Sequence, residues 1–276
     1  MTTTDAAVGR LLICATPIGN LQDVTLRVLS ALAAADVVAC EDTRHTRVLL
    51  ERHGVQAALV SFHEHNETAR ARELVARIRA GETVALVSDA GTPLISDPGY
   101  GLVRACIDAD IHVEVLPGPS AVVSALIASG EPAARWCFAG FLPRKRSELK
   151  ELLAGAGETL VAFESPRRLP ATLALLAELD PERRVAVCRE LTKRHEEVRR
   201  GCAAELADVY ASPPRGEVVL VIAAAAPAQA GREQALASLR ELIGAGAKAR
   251  PAAAAVAKLT GISANELYRQ LTRGGQ

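Results

Sequence analysis

The chain has 276 residues, of which 49% are hydrophobic and 23% are charged, so it is neither a disordered nor a fibrous protein and is long enough for about two domains. Its 32 Lys and Arg residues match its 32 Asp and Glu residues, which argues against a protein that coats nucleic acid through bulk charge. The charge is not evenly distributed along the chain. Residues 1–120 have 10 basic and 15 acidic residues, a net charge of −5. Residues 121–226 have 15 basic and 14 acidic residues (+1), and residues 227–276 have 7 basic and 3 acidic residues (+4).

Short apolar runs alternate with amphipathic stretches through the first 120 residues. The apolar runs predict strands, at 11–15, 37–40, 58–62, 84–88 and 112–116. The stretches between them predict helices, the first of which we expect to be N-capped by Asp23. Because the strands are continuously rather than alternately apolar, we expect a mainly parallel sheet with helices on both faces, which is an α/β fold.

The following hundred residues predict a second α/β unit with a less uniform sheet. After a helix at 120–128, strands are expected at 136–142, 159–164, 184–189, 197–201 and 217–222, with helices near 145–154, 168–179 and 203–210. No helix separates the two strands between 184 and 201, so this part of the sheet is predicted to be antiparallel and the sheet to be mixed.

The last fifty residues predict three helices, at 234–243, 251–259 and 264–271. Gly261 can take a positive φ in the turn between the last two helices, and Ser263 can cap the third. The segment is either a helix-turn-helix unit or a plain three-helix packing module. We therefore expect three domains, at 1–118, 119–226 and 227–276, the last joined through a small-residue linker at 223–231.

Cysteine usage and the N-terminus indicate a cytoplasmic protein. The six cysteines are scattered without a CxxC motif or a histidine at ligand spacing, which predicts reduced thiols and no metal site. The first residues lack the pattern of a signal peptide. The longest apolar runs reach roughly half of a membrane span, so no membrane association is expected.

Three loops rich in small residues and proline follow the first, fourth and fifth predicted strands, at 15–21, 88–99 and 116–121. In an open α/β sheet the carboxyl ends of the strands form the ligand crevice. Glycine there allows close approach of the backbone, and proline fixes the loop shape. Neither GxGxxG nor GxxxxGK[ST] is present, so a Rossmann dinucleotide enzyme and a P-loop NTPase are not expected.

Six motifs, in order along the chain, carry a resemblance to a known family. They are TPIGNL (16–21), ACEDTR (39–44), SFHEHNE (61–67), LVSDAGTPLISDPG (86–99), VLPGPSA (115–121) and FESPRR (163–168). The sequence resembles the tetrapyrrole methylase superfamily and, within it, the enzymes that methylate a cytidine 2′-hydroxyl in small-subunit (16S) ribosomal RNA. The resemblance implies S-adenosylmethionine as the methyl donor, two α/β domains with the cofactor between them, and a homodimer.

The same resemblance implies which residues hold the cofactor. Ile95 and Ser96 are expected beside the adenosine, and Thr92 stands where the tetrapyrrole enzymes have an aspartate. The full expected set is Pro17, Gly91, Thr92, Pro93, Ile95, Ser96, Pro117, Gly118, Ser120, Ala121, Phe163 and Glu164.

A ribose hydroxyl is a poor nucleophile at neutral pH, so a general base is plausible. The candidates are Asp42, His63, Glu64 and Asp89, although Asp42 can instead pair with Arg44, and positioning of the reactants without a dedicated base remains an alternative. Phosphate and ribose contacts require basic residues. The expected RNA-binding residues are Arg44, Arg144, Lys145, Arg146, Arg167 and Arg168.

The expected function is therefore S-adenosylmethionine-dependent ribose methylation of small-subunit ribosomal RNA, either as naked RNA or within the assembled subunit. Two alternatives stay open at this point. One is methylation of a corrinoid or porphyrinoid precursor by the same fold. The other is a DNA-binding regulator that senses a ligand through its α/β body.

Overall fold

The computed structural model describes residues 9–225 and 229–273. The first half contains a five-stranded sheet in the order β3-β2-β4-β1-β5, with every pair of neighbouring strands parallel. The strands are β1 (Arg10–Cys14), β2 (Val37–Cys40), β3 (Leu59–Ser61), β4 (Thr83–Val87) and β5 (His112–Leu116). The helices are α1 (Leu26–Ala34), α2 (Thr43–Arg52), α3 (Glu67–Arg79) and α4 (Tyr100–Asp108). The predicted parallel sheet is confirmed.

Both faces of this first sheet are covered, as continuous apolar strands require. Leu11 and Leu86 belong to a buried cluster that includes Leu74 of α3 and Leu102 of α4. The neighbouring positions along the same strands point to the opposite face, where they pack against α1 and α2. With both faces buried, ligands can reach the sheet at its edges and at its strand ends.

The expected cap of the first helix is wrong. Thr25, rather than Asp23, is the N-cap of α1, and its hydroxyl accepts a hydrogen bond of 3.1 Å from the Val28 backbone N–H. Asp23 ends a separate 3-10 helix (Leu21–Asp23), and the extended backbone of Val24 separates the two helical segments. Two residues that can cap a helix lie two positions apart here, and the sequence pattern does not distinguish them.

The second half contains a mixed sheet in the order β6-β7-β10-β8-β9. Strands β6 and β7 are parallel, and the other neighbouring pairs are antiparallel, so the predicted mixed sheet is confirmed. The strands are β6 (Trp136–Phe141), β7 (Thr159–Glu164), β8 (Arg184–Arg189), β9 (Glu197–Cys202) and β10 (Val218–Ile222). The helices are α5 (Ala121–Ser129), α6 (Arg146–Gly155), α7 (Leu169–Leu179) and α8 (Ala203–Val209).

Helices cover this second sheet on both faces too. Helices α6, α7 and α8 supply side chains such as Leu153, Leu173 and Leu206 to the larger buried cluster. On the opposite face, Leu126 of α5 packs in a cluster that includes Ile18 from the loop after β1. The loop of the first sheet therefore contributes directly to the core beside the second sheet.

The C-terminal segment forms α9 (Gln229–Gly244), α10 (Ala249–Thr260) and α11 (Ala264–Arg273). These helices share a buried cluster that includes Leu239, Val256 and Leu267. Gly261 takes a φ of +73° and ends α10, as expected for a helix C-terminus. Among the described residues no helix has the length and apolarity needed to cross a membrane. The expected domain limits stay predictions, and the limit at 226 lies outside the described residues.

Candidate active site

The three loops that follow β1, β4 and β5 meet at the carboxyl end of the first sheet. Thr16 and Gly91 exchange two backbone hydrogen bonds of 2.8 and 3.0 Å, and the Thr16 hydroxyl donates to the Ser88 carbonyl over 3.0 Å. The Thr92 hydroxyl donates to the Pro119 carbonyl over 3.3 Å. The parallel order of the strands places the loop ends side by side, and these bonds fix the loops to one another.

A cavity of about 370 Å³ lies between these loops and the second sheet, within the size range of small-molecule sites. Eight of the twelve expected cofactor residues line it: Gly91, Thr92, Ile95, Ser96, Ser120, Ala121, Phe163 and Glu164. Pro17, Pro93, Pro117 and Gly118 do not. A side chain at Gly118 would lie 2.9 Å from the Ala15 Cβ, so this glycine lets two of the loops pack closely.

The opposite wall comes from a loop that the sequence did not indicate. Glu190 lines the cavity, and its carboxylate accepts hydrogen bonds of 2.9 Å from the Glu217 backbone N–H and from Lys193. These bonds, the backbone bond first, lower the pKa of Glu190. Gly216 has a φ of +94° and no room for a side chain, since a Cβ would lie 2.4 Å from the Glu190 carboxyl group. These contacts hold the Glu190 carboxylate in place beside the cavity.

Glu164 is held by the protein itself. Its side chain is fully buried, and its carboxylate accepts hydrogen bonds of 2.7 Å from the Ser165 backbone N–H and 2.6 Å from the Thr172 hydroxyl. The Arg168 guanidinium lies 3.4 Å away. The group shapes the end of β7 beside the cavity, and its hydrogen-bonding capacity is largely used.

The four expected base candidates lie near the carboxyl end of the first sheet but do not line the cavity. Asp42 caps α2 and pairs with Arg44 over 2.6 Å, and these hydrogen bonds lower its pKa. Asp89 accepts from the Asp42 backbone N–H and lies 3.3 Å from His45. Glu64 is exposed.

His63 is fixed on one side only. Its Nε2 lies 3.3 Å from the Asn66 side-chain amide, while its buried Nδ1 has no hydrogen-bond partner among residues 9–225 and 229–273. A neutral imidazole that accepts at Nε2 carries its proton on Nδ1. The structure thus offers no partner for that proton and keeps His63 outside the cavity.

A carboxyl group that was not among these candidates reaches the cavity. Asp97 lines it, in the loop after β4, and is half-buried. Burial, followed by the nearby Glu41 carboxylate, raises the pKa of Asp97 to about 6. Glu41 directly follows β2, which pairs with β4, and burial raises its pKa as well. Asp97 lies within the 86–99 motif, so the sequence motif already included this residue although it was not among the expected bases.

Some of the basic side chains after β6 and β7 pair with other described residues, and others do not. Arg144 and Arg167 are exposed and make no ion pair with any residue that the structure describes. Arg168 instead donates to the Leu142 and Pro143 carbonyls over 2.6 to 3.1 Å, so it joins the loops after the two parallel strands. Lys145 pairs with Glu148, and Arg146 pairs with Glu178, both at the surface.

A bulge turns an aromatic side chain outward at the mouth of the cavity. The pairing of β6 with β7 shifts register between Phe138 and Phe141, and Gly140 between them has a φ of +65°. Phe141 is consequently 63% exposed although it lines the cavity, and its ring centroid is 5.3 Å from that of Phe163. Bulges often re-aim side chains beside functional sites.

These features define the ligand that the cavity accepts. Its lining combines aliphatic and aromatic side chains with carboxyl groups, which suits a ligand with an apolar body and a positive charge. Among the described residues, no group of three or more His, Cys, Asp or Glu side chains is arranged to hold a metal ion.

Comparison with known proteins places the chain among methylases. The family model for tetrapyrrole (corrin/porphyrin) methylases matches residues 10–207. Ribosomal RNA small subunit methyltransferase I of Mesorhizobium japonicum is 48% identical over 269 residues, which cover 95% of this chain and 90% of that protein. The protein of the same name from Mycobacterium tuberculosis is 47% identical, covering 94% and 93% of the two chains.

Solved structures show the same fold. Uroporphyrin-III C-methyltransferase from Thermus thermophilus is 25% identical with a TM-score of 0.55, and the match covers 77% of this chain and 94% of that one. A complex of the Thermus thermophilus enzyme with S-adenosylhomocysteine matches at 20% identity with a TM-score of 0.55, covering 77% and 97%.

Proposed function

This chain belongs to the tetrapyrrole (corrin/porphyrin) methylase family and, within it, to the ribosomal RNA small subunit methyltransferases I, and from that premise we propose that it methylates the 2′-hydroxyl of a cytidine ribose in small-subunit ribosomal RNA. It is an S-adenosylmethionine-dependent methyltransferase. The substrate is the ribosomal RNA itself or the assembled small subunit, and the reaction takes place in the cytoplasm.

One observation carries the proposal: a single cavity joins the acidic strand ends of the first sheet to a basic and aromatic rim on the second. Asp97 and Phe141 line the same cavity. Arg144 and Arg167 follow β6 and β7, whose parallel pairing places both loops at one end of the sheet. Cofactor chemistry and RNA binding can therefore take place at adjoining surfaces.

The residues of the cavity fit S-adenosylmethionine. Gly91 takes a φ of +82°, and a Cβ there would lie 3.3 Å from Ile18, so a glycine lets this loop pack closely against the loop after β1. Thr92 and Ser120 belong to loops that the Thr92–Pro119 hydrogen bond holds together. We assign the adenosyl group to these loops, and the carboxyl groups of Asp97 and Glu190 stabilise a positive charge in the cavity. When bound, the cofactor supplies an activated methyl group.

The rim of the cavity suits a single-stranded nucleotide. Sequence-tolerant stacking on an exposed aromatic ring and ion pairs with phosphate are the two contacts that such substrates require. Phe141 supplies the ring, and Arg144 and Arg167 supply charges that no described residue neutralises. We therefore place the target base against Phe141 and the adjoining phosphates against the two arginines. A bound nucleotide then presents its ribose to the cavity, and this positioning contributes to the rate.

The proposal includes a homodimer, as the family resemblance implies. Val123 and Ile127 lie four residues apart on α5 and are 45% and 74% exposed, so one face of that helix presents apolar surface that a second copy can cover. Light scattering of the wild type should give the mass of two chains. Val123→Glu with Ile127→Glu should give one, and a monomeric wild type would remove this part of the proposal.

The substrate assignment is tested with purified protein and labelled S-adenosylmethionine. Four acceptors are offered separately: small subunits from a strain without this methyltransferase, naked 16S ribosomal RNA, a porphyrinoid precursor and duplex DNA. Label is expected in ribosomal RNA, either naked or in subunits. Label confined to the macrocycle would favour the tetrapyrrole alternative, and binding to DNA without any transfer would favour a regulator.

A further inference from the structure

Two exposed arginines lie in the loops that form the opposite wall of the cavity. Arg194 is in the loop after β8, and Arg215 is in the loop before β10. Both side chains are exposed, and neither makes an ion pair with any residue in 9–225 or 229–273. We call them the β8–β10 arginines. Arg215 directly precedes Gly216, which lines the cavity.

Other basic side chains of these loops are already paired. Lys193 contacts the carboxylates of Glu190 and Glu217, both over 2.9 Å. Arg189 pairs with Glu197 over 3.0 Å. These pairs neutralise one another within the wall, whereas the β8–β10 arginines keep a positive charge that is available to a ligand.

The backbone beneath each of the two arginines is held in place although the side chain is free. The Arg189 guanidinium donates to the Arg215 carbonyl over 3.0 Å. In the other loop, the Glu196 carboxylate accepts a hydrogen bond of 2.6 Å from the Thr192 backbone N–H, which closes a turn around Arg194. A backbone that is already fixed loses less conformational entropy when a ligand binds.

Strand register aligns these arginines with the two that follow β6 and β7. Val218 of β10 pairs with Glu164 of β7 on one side and with Arg189 of β8 on the other, so the three strands end at the same level. Arg167 lies three residues after Glu164. Arg215 lies three residues before Val218 on the neighbouring strand. The strand order β6-β7-β10-β8 thus gives the order Arg144, Arg167, Arg215 and Arg194 along one edge of the sheet.

We propose that the β8–β10 arginines form a second phosphate-binding group and that the RNA strand crosses the cavity along this edge, from Arg144 and Arg167 to Arg215 and Arg194. This inference rests on the proposed function and adds the path of the substrate to it. Neighbouring strands are about 4.8 Å apart, so four strands span roughly 15 Å, which accommodates a few nucleotides of an extended strand. The target ribose then lies between two phosphate-binding groups.

The chemistry of the edge suits a single strand. Arginine donates paired N–H groups to phosphate oxygens, and its planar group matches the geometry of phosphate. Basic residues that follow the backbone beside an exposed aromatic ring are typical of single-strand binding, and Phe141 supplies the ring at the β6 end of the edge. Because the strand is held on both sides of the cavity, the ribose between the two groups is fixed, which contributes to the positioning of the reactants.

The first test compares charge reversal at the β8–β10 arginines with the same change elsewhere. Arg194→Glu with Arg215→Glu should raise the KM for ribosomal RNA about tenfold and reduce the salt dependence of binding by roughly two ion contacts. The control is Arg72→Glu with Arg79→Glu, two exposed arginines of α3 that lie outside the cavity lining and make no ion pair with a described residue. The control should change neither quantity. An equal effect in the control, or a KM within about twofold of wild type in the first pair, would overturn the inference.

A purely structural role of the two loops is tested by cofactor binding. Calorimetry with S-adenosylhomocysteine should give the wild-type affinity for Arg194→Glu with Arg215→Glu, since neither side chain lines the cavity. Arg194→Lys with Arg215→Lys retains both charges and should restore most of the RNA affinity. If S-adenosylhomocysteine affinity falls in parallel with RNA affinity, the two loops only shape the cofactor wall and the inference is wrong.

The path of the strand is tested by photo-cross-linking. In one variant p-benzoylphenylalanine replaces Arg144, in another it replaces Arg194, and the cross-linked positions in the RNA are mapped by primer extension. The two variants should cross-link on opposite sides of the methylated nucleotide. Cross-links on the same side, or none from the second variant, would overturn the inference. A wild type that methylates no ribosomal RNA would instead overturn the proposed function.

Discussion

The two edges that meet at the cavity have opposite chemistry. At the carboxyl end of the first sheet, Glu41, Asp89 and Asp97 bring acidic side chains together, and burial raises the pKa of two of them. At the corresponding end of β6 and β7 in the second sheet, Arg144 and Arg167 stand free beside the exposed ring of Phe141. One edge is therefore acidic and partly buried, and the other carries exposed basic and aromatic side chains, which we propose contact the RNA.

This difference explains why the overall charge of zero is a poor guide to the partner. The first part of the chain is acidic and the second is near neutral, and we propose that the two contact different parts of one substrate. A nucleic-acid partner requires positive potential at the surface that it contacts rather than over the whole protein. Four predictions test whether the two edges have separate roles, taken from the largest expected effect to the smallest.

Reversing both free charges on the second edge should have the largest effect. Arg144→Glu with Arg167→Glu should lower kcat/KM for ribosomal RNA by about 100-fold and reduce the salt dependence of binding by roughly two ion contacts. S-adenosylmethionine affinity, measured by calorimetry, should not change. Arg146→Glu is the control, because that side chain pairs with Glu178. Equal losses in the control would mean that charge anywhere on this surface suffices.

Arg168 should contribute to the stability of the fold, whereas its neighbour Arg167 should contribute to RNA binding. Arg168→Ala removes the hydrogen bonds to the Leu142 and Pro143 carbonyls and should lower the free energy of unfolding by about 2 kcal/mol. Arg167→Ala should leave it within about 0.5 kcal/mol of wild type. Urea unfolding measures both. Similar losses from the two variants would remove the distinction between a free and an engaged arginine.

Removing the exposed ring should weaken RNA binding without disturbing the fold. Phe141→Ala should raise the KM for ribosomal RNA by about tenfold, since stacking of one base contributes roughly 1–3 kcal/mol. Phe141→Tyr retains the ring and should restore most of the affinity. The unfolding free energy should change little, because the side chain is largely exposed. An unchanged KM in the alanine variant would place the base elsewhere.

The acidic edge should show a pH-dependent cost in stability. Asp97 binds a proton more tightly when folded, with a pKa of about 6 against an ordinary value of 3.8, so its contribution to stability falls as pH rises from about 4 to 6 and stays low above that. Asp97→Asn should therefore unfold like wild type near pH 4 and be more stable by about 1 kcal/mol at pH 7.5, after allowance for its partial exposure. Thermal unfolding at the two pH values measures this. Destabilisation at pH 7.5 would indicate that Asp97 has a structural role.

The sequence predicted the fold better than the chemistry of the site. Apolar runs located most of the strands that the structure describes, and the absence of a helix between β8 and β9 indicated the mixed sheet. Both properties follow from local patterns of hydrophobicity. The loops at the ends of β1, β4 and β5 were also recognisable, because glycine and proline mark positions where the backbone is constrained.

The individual roles of residues were harder to predict because they depend on long-range contacts. Arg167 and Arg168 are adjacent in sequence, yet one is free and the other binds carbonyl groups some 25 residues away. Asp42 and Asp97 lie in equally conspicuous motifs; the pairing of Asp42 with its near neighbour Arg44 could be anticipated, but only the folded loops show that Asp97 reaches the cavity. The bulge at Gly140, which exposes Phe141, arises from pairing between β6 and β7 and has no unique local signature.

The position of the transferred methyl group tests the central claim most directly, because transfer to a ribose oxygen of ribosomal RNA is the reaction that we propose for this cavity. Ribosomal RNA methylated by the purified protein with labelled S-adenosylmethionine is digested to nucleosides and analysed by mass spectrometry. The label should be found on the ribose, as 2′-O-methylcytidine. Label on a carbon or nitrogen of the base would contradict the account.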